Sequence, residues 1–265
     1  MRALPTNCGP MTDPAGEFTE DAFLGGQLCL RQPRSGHRAG HDAMLLAAAT
    51  AARSGDRVVD FGAGVGAAGL AVGKRVPGIE LVMVELDSVL AGLARGNAAS
   101  NAVAADVVVL DVTSTADSFA AVGLTPDSVD VVLMNPPFND PARHRVSPDK
   151  AREIAHVATP ATLEDWIHAS RRVLKSGGVL TLIWRADGLA EVLAALDRGF
   201  GSLAIQPVHG DAKAPAIRVL VRAVKGGKAP TQIHAALMLN DESAVPNKQV
   251  REILAGKRVL PLAIP

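Results

Sequence analysis

The chain has 265 residues, enough for one sizeable α/β domain with extensions and short for two full domains. With 48% hydrophobic and 20% charged residues, the composition excludes a disordered chain, and the balance of 27 basic against 27 acidic residues excludes a uniformly basic coat. Two cysteines, Cys8 and Cys29, make no disulfide framework, the acidic N-terminus (Asp13, Glu17, Glu20, Asp21) is not a signal peptide, and no stretch is apolar enough to span a bilayer, so a cytoplasmic protein is expected.

Residues 1–26 are rich in Pro and Gly and read as a loosely structured arm. Gln27–Gln32 reads as a short strand, and Asp42 stands where an N-cap belongs before a helix over Ala43–Ala52. Residues 27–55 thus form an extension ahead of the core. Strands and helices then alternate. Strands are expected at Arg57–Phe61, Glu80–Val84, Asp106–Leu110, Val129–Met134 and Val179–Trp184. Helices are expected at Ala67–Lys74, Asp87–Asn101, Ser114–Val122, Leu163–Leu174 and Leu189–Arg198. Two strands, Leu203–Pro207 and Ile217–Val224, close a core over residues 56–225 with no helix between them. The alternation predicts an α/β fold, a mostly parallel sheet covered on both faces, and the last strand pair predicts an antiparallel end. Residues 226–265 read as a C-terminal extension with a strand near Leu237–Leu239 and a helix near Lys248–Ala255.

The run Asp60-Phe61-Gly62-Ala63-Gly64-Val65-Gly66 joins the first core strand to its helix, where such sheets bind ligands. Gly64-Val65-Gly66-Ala67-Ala68-Gly69 also matches a dinucleotide fingerprint, with Glu85 near the expected ribose-binding distance. That match starts two residues late, and Asp60 would repel a pyrophosphate. A carboxylate there suits a ligand bearing an ammonium and a sulfonium. A phosphate-binding Walker loop fails because Arg75 stands where Ser or Thr is required. Glu85 ends the second core strand and can accept from ribose hydroxyls. Asp111 ends the third and can reach an adenine amino group.

Asn135-Pro136-Pro137-Phe138 follows the fourth core strand. An exocyclic amine is a poor nucleophile because its lone pair is delocalised, but it can be oriented. The Asn135 side-chain oxygen and the Pro136 carbonyl can accept its two N–H bonds, which turns the lone pair toward a methyl donor and stabilises the charge that develops on nitrogen. The prolines fix the backbone and offer no competing N–H. Phe138 can stack on a planar acceptor, and Pro137 would border it.

These residues resemble the class I methyltransferases of the small-domain, amino-methylating group. The segment Gln32-Pro33-Arg34-Ser35-Gly36-His37-Arg38-Ala39-Gly40-His41-Asp42-Ala43-Met44-Leu45-Leu46 is similar to the one before the glycine loop in bacterial tRNA(Val) adenine-37 methyltransferases. The resemblance implies a Rossmann-like, seven-stranded, mostly parallel sheet and S-adenosyl-L-methionine as cofactor. The cofactor residues it implies are Arg38, Gly40, Asp42, Asp60, Gly62, Ala63, Gly64, Gly66, Glu85, Leu86, Asp111, Val112 and Asn135. It also implies adenine N6 in tRNA as acceptor, with guanine N2 in ribosomal RNA or a protein glutamine amide as alternatives. An NAD(P)-binding or non-catalytic Rossmann module is the reading from another class.

Two basic groups give an RNA partner a local face: Arg143, His144, Arg145, Lys150 and Arg152 after the tetrapeptide, and Lys213, Arg218, Arg222, Lys225 and Lys228 near the end of the core. No membrane partner and no metal are expected; His37 and His41 stand four apart, but Gly40 and the lack of a nearby Cys argue against zinc. Trp166 and Trp184 lie in apolar runs and read as core.

Overall fold

A computed structural model of the chain describes residues 17–35, 38–137, 160–241 and 245–264. The first element is a hairpin of β1 (Phe18–Phe23) and β2 (Leu28–Pro33), antiparallel, with Phe18 opposite Pro33 and Phe23 opposite Leu28. This corrects the expectation of a loose arm through residue 26. The period-two pattern that buries Leu28, Leu30 and Gln32 needs a partner strand, which the Pro/Gly-rich composition upstream concealed. Cys29 in β2 is disulfide-bonded, a state not expected from two isolated thiols.

Helix α1 (His41–Ala49) follows. Its N-cap is Gly40, whose extended backbone makes no side-chain capping bond, and Asp42 sits inside the first turn instead. The alternating core then runs β3 (Arg57–Phe61), α2 (Ala67–Arg75), β4 (Glu80–Glu85), α3 (Ser88–Ser100), β5 (Asp106–Val109), α4 (Ala116–Ala121), β6 (Val129–Met134), α5 (Pro160–Val173), β7 (Leu174–Arg185), α6 (Leu189–Leu196), β8 (Phe200–His209) and β9 (Ala216–Lys225). Caps set several boundaries. The Asp87 carboxylate accepts from the backbone of Val89 and Leu90, and the Thr115 hydroxyl from that of Ser118. β7 starts earlier than expected because Leu174 already pairs with Val129 before an irregularity in the register.

The main sheet has nine strands. Its core order is β8-β9-β7-β6-β3-β4-β5, with β9 antiparallel to both β7 and β8 and the others parallel. These are the seven strands expected, with the antiparallel strand wedged between its two neighbours. Two short strands, β10 (Gln232–Ile233) and β11 (Leu237–Met238), add to β8 in parallel. The chain closes with α7 (Lys248–Leu254) and a short 3-10 turn at Pro261–Ala263.

Two apolar layers cover the sheet. One packs α1, α2, α3 and α7 through Leu45, Leu70, Ala94 and Val250 onto Val58, Val131 and Leu133. The other packs α4, α5 and α6 through Phe119, Trp166, Ile167 and Val192 onto Val59, Phe61 and Val132. Trp166 and Trp184 are both buried, as core residues are. Among the described residues no helix is long and apolar enough to cross a membrane.

Candidate active site

β3 pairs with β4 on one side and with β6 on the other, so the chain reverses direction across the sheet beside β3. A crevice opens at the carboxyl ends of strands at such a point. Neighbouring strands lie about 4.8 Å apart, which lines up Asp111 after β5, Glu85 on β4, Asp60 on β3 and Asn135 after β6 along one edge.

The glycine loop leaves β3 with left-handed backbone at Gly62 (φ 67°), Gly64 (φ 57°) and Gly66 (φ 88°). A Cβ on Gly62 would run into the indole of Trp166, whereas one on Gly64 would meet nothing within 4 Å. The loop therefore packs tightly against α5 on one side and is open on the other. Glu85, 8% exposed, holds it: Oε2 accepts from the Gly64 N–H at 2.7 Å and Oε1 from the Asp87 N–H at 2.9 Å. A carboxylate has lone pairs beyond these two, so Glu85 can anchor the loop and still accept from a ligand hydroxyl.

Asp60 is 2% exposed, and its Oδ2 accepts from the Gly69 N–H in the first turn of α2 at 2.8 Å. Burial pushes its carboxyl up to about 7, with the charge of Glu85 adding to the rise and the Gly69 N–H opposing it. Asp60 lines a cavity with Gly62, Ala63, Gly64, Val65, Ala67, Ala68 and Leu90. Ala39, Ala43 and Leu46 form its cover and Asn135 its far wall. The Asn135 Oδ1 atom is buried and accepts no hydrogen bond among the described residues. Pro136 beside it is buried and Pro137 exposed.

The remaining candidates divide. Leu86, 53% exposed, and buried Val112 flank the carboxylates at the ends of β4 and β5. The Asp111 Oδ1 accepts from the N–H and hydroxyl of Thr113, both at 2.8 Å. Arg38 and Asp42 do not line the cavity. The Arg38 guanidinium donates to Asp21 at 2.6 Å and to the Pro33 carbonyl at 2.8 Å, while Asp42 accepts from Arg218 Nε at 3.0 Å. They hold the cover in place, and the lining comes from their neighbours Ala39 and Ala43. Asp21 also accepts from Thr19 and Gln32, both at 2.8 Å. Burial tends to raise the Asp21 carboxyl, but the Gln32 and Thr19 hydrogen bonds and the Arg38 charge outweigh it, so its pKa lies below the ordinary 3.8.

The second basic group is not a free face. Arg218 pairs with Asp42, Arg222 donates to the carbonyls of Leu262 and Ile264, and Lys225 reaches Asp127 and the Leu174 carbonyl. Lys213 and Lys228 are the exposed members. Phe138, Arg143, His144, Arg145, Lys150 and Arg152 lie outside the described residues.

Two residues that brace the site escaped the sequence reading. Asn97 in α3 and Asn101 at its C-cap lie one turn apart, are 2% and 1% exposed, and bond the β2 backbone. Asparagine is a poor choice for a helix interior, so Asn97 four residues before a second asparagine was a signal available in the sequence.

A glycine loop open toward a cavity, carboxylates at successive strand ends and a buried, unspent amide oxygen suit a cofactor with ammonium, ribose and adenine parts laid along the strand ends. The fold and this site define a Rossmann-like, S-adenosylmethionine-dependent methyltransferase. Residues 38–209 match the family described as "Methyltransferase small domain", and the chain belongs to that family. A tRNA1(Val) (adenine(37)-N6)-methyltransferase from Porphyromonas gingivalis strain W83 is 28% identical over 176 residues, which are 65% of this chain and 68% of that protein. Ribosomal RNA small subunit methyltransferase C from Pseudomonas syringae pv. tomato is 30% identical over 126 residues, 48% of this chain and 31% of that protein. Among solved structures, a protein from Agrobacterium tumefaciens described as a predicted O-methyltransferase superposes with a TM-score of 0.68 at 32% identity, covering 83% of this chain and 98% of that one.

Proposed function

We propose that this methyltransferase modifies an exocyclic amino group of an RNA base, with adenine N6 in tRNA the favoured acceptor. The observation that carries the proposal is the buried Asn135 Oδ1, an acceptor in the cavity wall with no partner among the described residues. Leaving such an atom unsatisfied costs about 1–3 kcal/mol, a cost that a substrate N–H removes. An oxygen placed to accept suits an amine, which has two N–H bonds to give. The relative from Porphyromonas gingivalis, which bears the name of a tRNA adenine-N6 enzyme, supports the same choice.

S-adenosylmethionine, when bound, supplies a methyl group already activated by its sulfonium. The rest falls to the chain. Gly62, Ala63, Gly64 and Gly66 let the backbone approach the cofactor. Asp60 faces its ammonium, Glu85 its ribose, and Asp111, Leu86 and Val112 its adenine. Asn135 Oδ1 and the Pro136 carbonyl accept the two amine hydrogens and point the nitrogen lone pair into the cavity. The nitrogen would gain the bond to the methyl carbon as that carbon's bond to sulfur breaks and leaves a neutral thioether, and the positive charge carried over to nitrogen would be stabilised by the two oxygens. The nitrogen would then lose a proton to solvent. Phe138 and Pro137 pack against the base, and Arg143, Arg145 and Lys150 contact phosphates.

A second reading, guanine N2 in ribosomal RNA, is favoured by the Pseudomonas syringae relative. One assay separates the two. The protein is incubated with labelled S-adenosylmethionine and, in turn, tRNA, ribosomal RNA and protein fractions, and the modified nucleosides are identified. N6-methyladenosine in tRNA is expected. N2-methylguanosine in ribosomal RNA would move the assignment to the second reading, and label confined to protein would refute both.

A further inference from the structure

Helix α3 and its C-cap carry two buried asparagines, Asn97 and Asn101, that act as a strand edge for β2. Asn101 Oδ1 accepts from the Cys29 N–H at 2.8 Å, and its Nδ2 donates to the Cys29 carbonyl at 2.6 Å. Four residues earlier, along the same stripe, Asn97 repeats the pattern on Arg31: Oδ1 accepts from the N–H at 2.8 Å and Nδ2 donates to the carbonyl at 3.0 Å. Residues i and i+4 of a helix rise about 6 Å, close to the two-residue repeat of a strand, so side-chain amides at that spacing match alternate β2 residues. The two asparagines differ in where the second Nδ2 hydrogen goes: that of Asn101 reaches the Asn97 carbonyl at 2.8 Å, within its own helical turn, and that of Asn97 reaches the Val65 carbonyl of the glycine loop at 2.9 Å.

The loop is thereby held from two directions, at Gly64 by Glu85 and at Val65 by Asn97. The same asparagine also fixes β2, which is tied to the cavity cover by a hydrogen bond. Gln32, next to Arg31, accepts from the N–H of Ala39, and Ala39 lines the cavity. One side chain thus joins the floor of the cofactor site to its lid.

We propose that Asn97 is a positioning residue for S-adenosylmethionine, coupling the β1–β2 hairpin to the glycine loop, while Asn101 bonds the hairpin and the end of its own helix and makes no bond to the loop. The pair supplies its own control. Each substitution to alanine strips a buried N–H and C=O of β2 of their partners, so Asn97→Ala and Asn101→Ala lower the melting temperature by similar amounts. Only Asn97→Ala frees the glycine loop. The binding site is the one shared by every acceptor considered above, so the test is independent of the RNA assignment.

The experiment titrates the wild type and both variants with S-adenosylmethionine by calorimetry, alongside thermal melts. Asn97→Ala should weaken binding about five- to tenfold, the effect of one buried hydrogen bond. Asn101→Ala should change it less than about twofold. The cofactor KM should rise with the same ratio while the single-turnover rate at saturating cofactor holds. Asn97→Asp, which keeps the bond from the Arg31 N–H but has no donor for Val65, guards against a misfolded alanine variant and should lose affinity in the same way. Equal losses in the Asn97 and Asn101 variants, or wild-type affinity in Asn97→Asp, would overturn the proposal.

Discussion

Asp60 combines near-complete burial with a charge-bearing role, and the two pull in opposite directions. Its carboxyl holds its proton up to about pH 7, against an ordinary value of 3.8. A carboxyl whose folded value is raised contributes fully below 3.8 and loses that contribution as pH rises to about 7. The span is worth about 4 kcal/mol at 1.36 kcal/mol per unit. Asp60→Asn should therefore flatten stability between these limits, as read by denaturant melts across pH. A cationic ligand reverses the preference because it favours the ionised form. Cofactor affinity should thus rise as pH is raised through about 7, with proton release on binding visible by calorimetry in buffers of different ionisation heat. Glu85→Ala removes the proposed ribose acceptor and the Gly64 anchor together, so a loss of roughly 1.5–3 kcal/mol in cofactor binding is expected by titration. Unchanged affinity in a folded Glu85→Ala protein would remove that residue from the site. The serial carboxylates were legible because an acid at the end of a buried strand is conspicuous. The work of Arg38 and Asp42 was not, because it depends on Asp21 and Arg218, far away in sequence.

The hairpin and α1 form a cover seated both by buried apolar side chains, Leu28, Leu30, Leu45 and Leu46 among them, and by a cluster of polar bonds. Asp21 gathers Thr19, Gln32 and Arg38 on one oxygen. Its lowered pKa means that this contribution is complete above 3.8 and is lost as pH falls through the folded value. Asp21→Ala should raise hydrogen exchange in β1 and β2 at neutral pH while the β3 amides stay protected; exchange unchanged in the hairpin would show that the cluster does not seat it. β9 behaves similarly. Arg222→Ala should release the turn at Pro261–Ala263 and lower stability by about 1–3 kcal/mol without touching RNA affinity, since its guanidinium is spent on Leu262 and Ile264. Buried strands such as β3 and β6 were readable to the residue because a short apolar run ending in Gly or Asn has one solution between two helices. β11 was legible as the strand expected near Leu237–Leu239, but β1 and β10 were not, because each is short or half-exposed and exists only against a neighbour that the local pattern does not name.

Across the whole molecule, the strand order places Glu85 and Asp111 to one side of β3 and Asn135 to the other, so under the proposed function the acceptor is expected from the β6 side. With three of the five late basic residues partnered internally, phosphate contact is expected from the group after the tetrapeptide. Neutralising Arg143, Arg145 and Lys150 together should raise the RNA KM and flatten its salt dependence with cofactor affinity unchanged. The central claim is that Asn135 orients an amine. Single-turnover methyl transfer to tRNA at saturating cofactor tests it most directly, because that measurement isolates the chemical step. Asn135→Ala should fold and bind cofactor yet transfer about 10²–10³-fold more slowly, the loss seen when one preorganised hydrogen-bonding group is removed from a reacting centre. Asn135→Ala transferring methyl groups at close to the wild-type rate would contradict the account.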